Sequence, residues 1–233
     1  MRLRIQFGKE EPVRYISHLD LARAFERAIR RAKIPVAMSE GFNPHVKVAY
    51  ASALSVGITS SGEYVDIEMR EEIDGAAAVE KLRQQMPEGL TLKHFTVLRG
   101  PAAALMAIVN LAEYTVVVPV EQNMDIGLVR ERVQRVRDAK TLPIVRHTPK
   151  GRKEMDARTF IADIELQDWN AEKATFRMKT YITDKGAIKP SEVVQVLKEY
   201  AEIPIRIEEA CFHREGLYVV REARVLSPLE VVR

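Results

Sequence analysis

The chain has 233 residues, 46% of them hydrophobic, with 36 basic and 33 acidic side chains and a formal net charge of +3. That is enough apolar material to pack a core in two ordinary domains, while so small a net charge identifies no partner. A single cysteine, Cys211, excludes an intrachain disulfide framework and any cysteine-based zinc or iron–sulfur centre, and it fits a reducing compartment.

The opening run "MRLRIQFGKEEPVRY" lacks the apolar core of a signal peptide. No apolar run along the chain reaches the roughly 18 residues of a membrane span, so the expectation is a cytoplasmic protein with no membrane partner. Leu3 to Phe7 alternates as a strand does. A helix is expected from Ser17, which makes an imperfect capping box with Asp20. Leu19, Ala22, Phe25, Ile29 and Ala32 recur at helical spacing, and Pro35 stops the run. From Arg23 to Lys33 there are five positive charges (Arg23, Arg27, Arg30, Arg31, Lys33) against Glu26 alone. Local pairing of Glu26 cannot neutralise that excess, and a concentrated basic stripe is the footprint of a phosphate-bearing partner.

The run "EGFNPHVK" from Glu40 to Lys47 is the most distinctive stretch. Gly41 permits a positive φ and Pro44 stiffens the turn, a combination that suits presentation of Ser39, Asn43, His45 and Lys47 to a ligand. Phe42 is expected to anchor the turn, partly buried between the first helix and the sheet. Tyr15 and His18 sit at the helix start, where unpaired N–H groups favour anions. A His18/His45 pair with Lys47 would suit acid–base cleavage of RNA, if the two histidines meet.

Strands are expected at Val46 to Ala51, Glu63 to Met69 and Leu90 to Leu98, with a helix from Asp74 to Gln85. The order β-α-β-β-α-β is the split βαβ pattern of ferredoxin-like folds. After Arg99, Gly100 and Pro101 and a short apolar helix, the order restarts. Tyr114 to Val120 is extended, Asp125 to Ala139 is helical with Arg130, Arg132, Arg135 and Arg137, and an extra strand covers Leu142 to His147. Two further extended runs, a helix from Pro190 to Tyr200 and a closing strand follow. The expectation is an α+β protein of tandem ferredoxin-like domains with antiparallel sheets, residues 1–99 and 100–233. The run "RHTPKGRK" reads as a basic loop, Trp169 as a packing residue and Cys211 as inert in an apolar strand.

No phosphate loop, dinucleotide fingerprint, zinc-protease or serine-hydrolase motif occurs, so no cofactor and no metal are expected. The stretch from Tyr15 to Met69, above all "YISHLDLARAFERAIRRAKIPVAMSEGFNPHVKVAYASALSVG", resembles the signature of the radical-SAM-associated (radical-SAM-linked) family of uncharacterised proteins, here in its stand-alone form. Val46 stands where that family commonly has proline, and Met38 where it commonly has an aromatic. The resemblance implies a setting of RNA, ribosomes and a radical SAM partner. One cysteine cannot supply the three thiolates of a radical SAM cluster, so these 233 residues are not the radical enzyme. The leading expectation is a non-catalytic RNA-binding or substrate-presenting accessory protein in tRNA or rRNA modification. Its RNA and phosphate contacts would be Tyr15, His18, Arg23, Arg27, Arg30, Arg31, Ser39, Asn43, His45 and Lys47. The alternatives are a metal-independent endoribonuclease and a protein-binding scaffold without RNA contact.

Overall fold

The computed structural model describes residues 1–148 and 151–231. The fold is mixed α+β with mostly antiparallel pairing, and the chain divides into two compact units. One comprises Met1–Asn110 together with the segment from Gly216 onward, the other Leu111–Glu215.

In the first unit, β1 (Arg2–Lys9) is central. It pairs antiparallel with β3 (Thr59–Glu68) on one side and β4 (Leu90–Leu98) on the other, and β2 (Val48–Tyr50) pairs antiparallel with β3. The strand order is therefore β4-β1-β3-β2. Helices α1 (His18–Arg31) and α2 (Gly75–Arg83) share one apolar core with these strands. Alternation sends Leu3, Ile5 and Phe7 of β1 into that core. The opposite face is not left to water at Arg4, which is fully buried. Its guanidinium forks onto Asp66 (2.8 and 2.9 Å) and donates to the carbonyls of Ala103, Pro228 and Val231 (2.9 to 3.1 Å). The C-terminal hairpin, β11 (Cys211–Arg221) with β12 (Arg224–Leu226), leads into that segment.

The Ser17 hydroxyl caps α1: it accepts from Asp20 N–H and donates to the Asp20 carboxylate at 2.7 Å. That bond holds the Asp20 carboxyl below the usual carboxylate range. The buried stripe of α1 is Leu21, Ala24, Phe25, Ala28 and Ile29; of the expected stripe it keeps Phe25 and Ile29, while Leu19, Ala22 and Ala32 fall outside it. Leu19 is 67% exposed, because six residues before Phe25 it lies about 120° around the helix axis. The helix ends in a Schellman motif, with Lys33 N–H bonded to Arg30 O and Ile34 N–H to Ile29 O. Lys33 sits at φ 52°, the left-handed position usually given to glycine. Lys33→Gly should therefore raise stability by about 0.5–1 kcal/mol in urea unfolding, and should lower affinity for a polyanion by removing a charge from the basic face.

In the second unit, β9 (Lys173–Thr183) pairs antiparallel with β5 (Leu111–Pro119) and β8 (Ile161–Trp169), the order being β8-β9-β5 with the start of β11 beside β5. Helices α4 (Ile126–Asp138) and α5 (Pro190–Glu199) bury Val129, Val133, Val136, Val193, Val194 and Leu197. The short helix α3 (Leu105–Ile108) lies in the first unit. The expected basic loop around His147 is instead a hairpin of β6 (Pro143–Thr148) and β7 (Gly151–Asp156); Pro149, Lys150 and the His147 side chain lie outside the described residues. Trp169 packs as expected, its indole N–H donating to Met124 O at 3.0 Å. Cys211 is exposed, at the edge of its strand rather than inside an apolar pattern. Before α5, β10 (Gly186–Ala187) closes a turn on β9; after it, the closing strand expected over Ile205 to His213 begins only at Cys211, behind a 3-10 turn at Ile207–Glu209. Among the described residues no helix is long and apolar enough to cross a membrane.

Candidate nucleic-acid interface

Burying one side of α1 leaves the other to solvent. Arg23, Arg27 and Arg30 are all exposed and follow one another at spacings of four and three residues. They form one row about 10 Å long. Arg23 pairs with Asp20 at 3.2 Å rather than with Glu26, and Arg30 pairs with Glu26 at 2.7 Å. Such exposed helix pairs contribute little, because solvent screens them, so an incoming phosphate competes with them readily. Arg31 turns away from the row and donates to Gln85 O at 2.7 Å, beyond the end of α2.

At the start of α1 the structure sets His18 against residues of the core and leaves Tyr15 outward. Tyr15 is 74% exposed, and its ring lies 5.6 Å from the Arg14 guanidinium carbon. Arg14 is itself fixed by a 2.7 Å bond from Nε to Gly57 O. Sequence reading missed Arg14; its position beside an exposed tyrosine was the available signal. His18 is half-buried, edge-on to Tyr50 at 5.1 Å, and Tyr50 is edge-on to Phe25 and Phe7 at 5.8 and 6.4 Å. This aromatic chain ties the first helical turn to the sheet. The hollow there, lined by Lys9, His18, Tyr50 and Glu63 among others, has room for little more than one water molecule, about 10 Å³. Burial pushes the Tyr50 phenol above its ordinary pKa, and among the described residues the phenol oxygen has no hydrogen-bond partner.

The segment from Val36 to Val48 folds as a narrow extension of the sheet. Ala37 N–H donates to Glu68 O, Lys47 N–H to Ala37 O and Glu68 N–H to Lys47 O, all at 2.8 to 3.0 Å, and Met38 bridges Val46. Ser39 and His45 close the neck. Ser39 N–H donates to His45 O at 2.8 Å, and the Ser39 hydroxyl accepts from His45 N–H at 3.0 Å and lies 2.8 Å from His45 Nδ1. Residues 40–44 form the tip, with Gly41 at φ 118°. His45 and Asn43 are exposed. Phe42 is not the expected anchor: it is fully solvent-exposed, at 107%. A tip of five residues above a closed neck cannot fold back to the core, and Val46, 8% exposed, fills the core position instead. The turn chemistry on either side of Phe42 was the signal that it sits at a tip.

Behind the tip lies an open groove of about 330 Å³, lined by Arg2, His45, Lys47, Ala49, Asp66 and Glu68 with Val46, Val48 and Ala104. The Lys47 ammonium is 3.8 Å from the Glu68 carboxylate. Arg2 and Asp66 stand on the face of the sheet that carries Arg4, whereas His18 packs on the face that carries Phe7. The two histidines thus line different hollows on opposite faces of one sheet, and the structure does not bring them together as an acid–base pair.

The second basic helix offers less. Arg137 is paired with Asp163 at 3.2 Å, and Arg132 is bonded into the unit at the carbonyls of Ala201 and Glu202. Among the described residues no group of three or more His, Cys, Asp or Glu side chains is placed to hold a metal ion.

A family model described as an uncharacterised protein conserved in bacteria (DUF2344) matches residues 2–190. No curated protein matches the chain significantly. Among solved structures, the chain is similar to one in a crystal structure of a Cbf5–Nop10–Gar1 complex, with 9% identity, a TM-score of 0.52, and coverage of 94% of this chain and 48% of that one. A structure of an H/ACA RNP bound to a substrate RNA containing 2′-deoxyuridine gives 8% identity and a TM-score of 0.49, covering 95% and 47%. The crystal structure of the archaeal box H/ACA sRNP Nop10–Cbf5 complex gives 8% and 0.47, covering 91% and 46%. The chain spans about half the length of these structural neighbours, and likeness at such identity concerns the fold alone.

Proposed function

The chain therefore belongs to this family of bacterial proteins, and we propose that it is a non-catalytic RNA-binding or substrate-presenting protein that acts beside a radical SAM enzyme in tRNA or rRNA modification in the cytoplasm. The observation that carries the RNA reading is the row of Arg23, Arg27 and Arg30, exposed along the side of α1 that the core does not use. These arginines stand off the buried stripe, and Arg23 and Arg30 make only local pairs on the helix surface among the described residues, so the core makes little use of them where a phosphate backbone could use all three. The loop from Ser39 to Lys47 supplies the polar contacts to a nucleotide. The radical SAM partner rests on the resemblance of the Tyr15 to Met69 signature; with a single cysteine, these 233 residues cannot themselves hold such a cluster. We read both units as ferredoxin-like; the orders β4-β1-β3-β2 and β8-β9-β5 support that reading.

Binding of purified protein to tRNA and rRNA fragments, measured in EDTA, tests the reading. The expected outcome is saturable binding with the RNA intact at the end of the incubation. Cleavage that stops in folded His18→Ala or His45→Ala variants would replace the accessory role with a metal-independent nuclease. Absence of binding would remove RNA from the account.

A further inference from the structure

We propose that Phe42 is a stacking platform for an unpaired nucleobase, and that the groove behind it receives the neighbouring nucleotide, so that the RNA recognised is single-stranded at this point. The inference rests on the RNA-binding reading and deepens it. A fully exposed phenylalanine forgoes the stabilisation that burial of its ring would bring. Phe42 nevertheless stands on a loop whose neck is closed by three Ser39–His45 hydrogen bonds, above a bridge between Met38 and Val46. The ring is thus held outward by structure rather than left on a loose tail, which reduces the ordering cost of placing a ligand on it. Gly41 at φ 118° sets the turn, and apart from its chain neighbours no heavy atom of the described residues lies within 4 Å of where a side chain would begin, so the approach to the tip is open.

The occupant is argued from the groove. Phe42 and His45 are three residues apart, so the tip lies within about 10 Å of the groove wall along the chain. The groove is lined by charged groups of both signs, with the Lys47 donor beside the Glu68 acceptor at 3.8 Å. An apolar protein anchor would have to desolvate these groups without pairing them. The edge of a nucleobase presents donors and acceptors side by side, and recognition of single-stranded RNA combines such edge contacts with stacking on an aromatic ring. A duplex hides both the base face and its pairing edge, so it is excluded from this site.

The test uses full-length protein, a uridine-rich single-stranded RNA, the same RNA annealed to its complement, and the variants Phe42→Ala, Phe42→Leu and Phe42→Trp. Because the side chain touches solvent only, all three should melt with wild type. Phe42→Ala and Phe42→Leu should weaken single-strand binding by about five- to a hundredfold, while leaving duplex binding unchanged. Phe42→Trp should keep single-strand affinity, and its added fluorescence should be quenched by the RNA. Equal single-strand affinity of wild type and Phe42→Ala, with affinity still lost on removal of the α1 arginines, would overturn the platform and leave the RNA reading standing. Loss in Phe42→Ala that Phe42→Leu restores would identify an apolar contact and overturn stacking. Loss of a co-purifying protein with RNA binding intact would make the tip a protein-docking point, and the inference would fall. Failure of wild type to bind any RNA would sink both.

Discussion

Arg4→Ala should cost about 3–5 kcal/mol in urea unfolding, the largest single loss expected in the first unit. The guanidinium is fully buried, and so is almost all of the Asp66 carboxylate it grips. Truncation leaves that carboxylate in the interior with only the longer 3.4 Å contact from Arg2. It also strips a donor from the carbonyls of Ala103, Pro228 and Val231. Arg4→Lys should not rescue, because an ammonium cannot supply the planar fork that meets Asp66 and three carbonyls together. Replacing both partners, as Arg4→Met with Asp66→Leu, should recover only part of the loss, since the three carbonyls would still lack their donor. Hydrogen exchange should show residues 227–231 opening first in Arg4→Ala. Full stability of Arg4→Ala, or unchanged protection of that segment, would mean that these bonds do not hold the C-terminal segment in place.

The second large effect is on binding. Arg23→Gln, Arg27→Gln and Arg30→Gln combined should weaken RNA affinity by about ten- to a hundredfold near physiological salt. The slope of log affinity against log salt should become shallower by about 2, at roughly 0.7 for each lost phosphate contact on a single strand. Stability should change little, because the substituted side chains lie off the buried stripe of Leu21, Ala24, Phe25, Ala28 and Ile29. The two exposed ion pairs that disappear, with Asp20 and Glu26, are weak. A variant that melts normally and binds with unchanged affinity and slope would take α1 off the binding surface.

The parts of this structure that could be read from the sequence are those with local causes. Ser17 and Asp20 marked the helix start through their own hydrogen bonds, and Gly41 marked a positive φ through its missing side chain. The alternation of Leu3, Ile5 and Phe7 marked the helix-facing side of β1. The parts that escaped have distant causes. Nothing local says that Arg4 is buried, because three of its acceptors are backbone carbonyls and two of those lie more than 200 residues away in sequence. The return of the segment from Gly216 to the first unit is invisible for the same reason. At the candidate site, the arginine row could be read because helical spacing alone arranges it. The exposure of Phe42 was harder to read, since aromatic character argues for burial and only the turn residues Gly41, Asn43 and Pro44 around it spoke for a tip. His18 looked like an anion ligand because it opens a helix; its edge-on contact with Tyr50 depends on a strand 30 residues further on.

Ultraviolet crosslinking of the purified protein to cellular RNA, with the crosslinked peptides mapped to residues, tests the central claim most directly. The account predicts crosslinks concentrated between Tyr15 and Lys47, on the exposed row of α1 and at the tip around Phe42, carried by tRNA or rRNA fragments. A chain that captures no RNA would contradict it, and so would crosslinks confined to the second unit around Arg130 and Arg135.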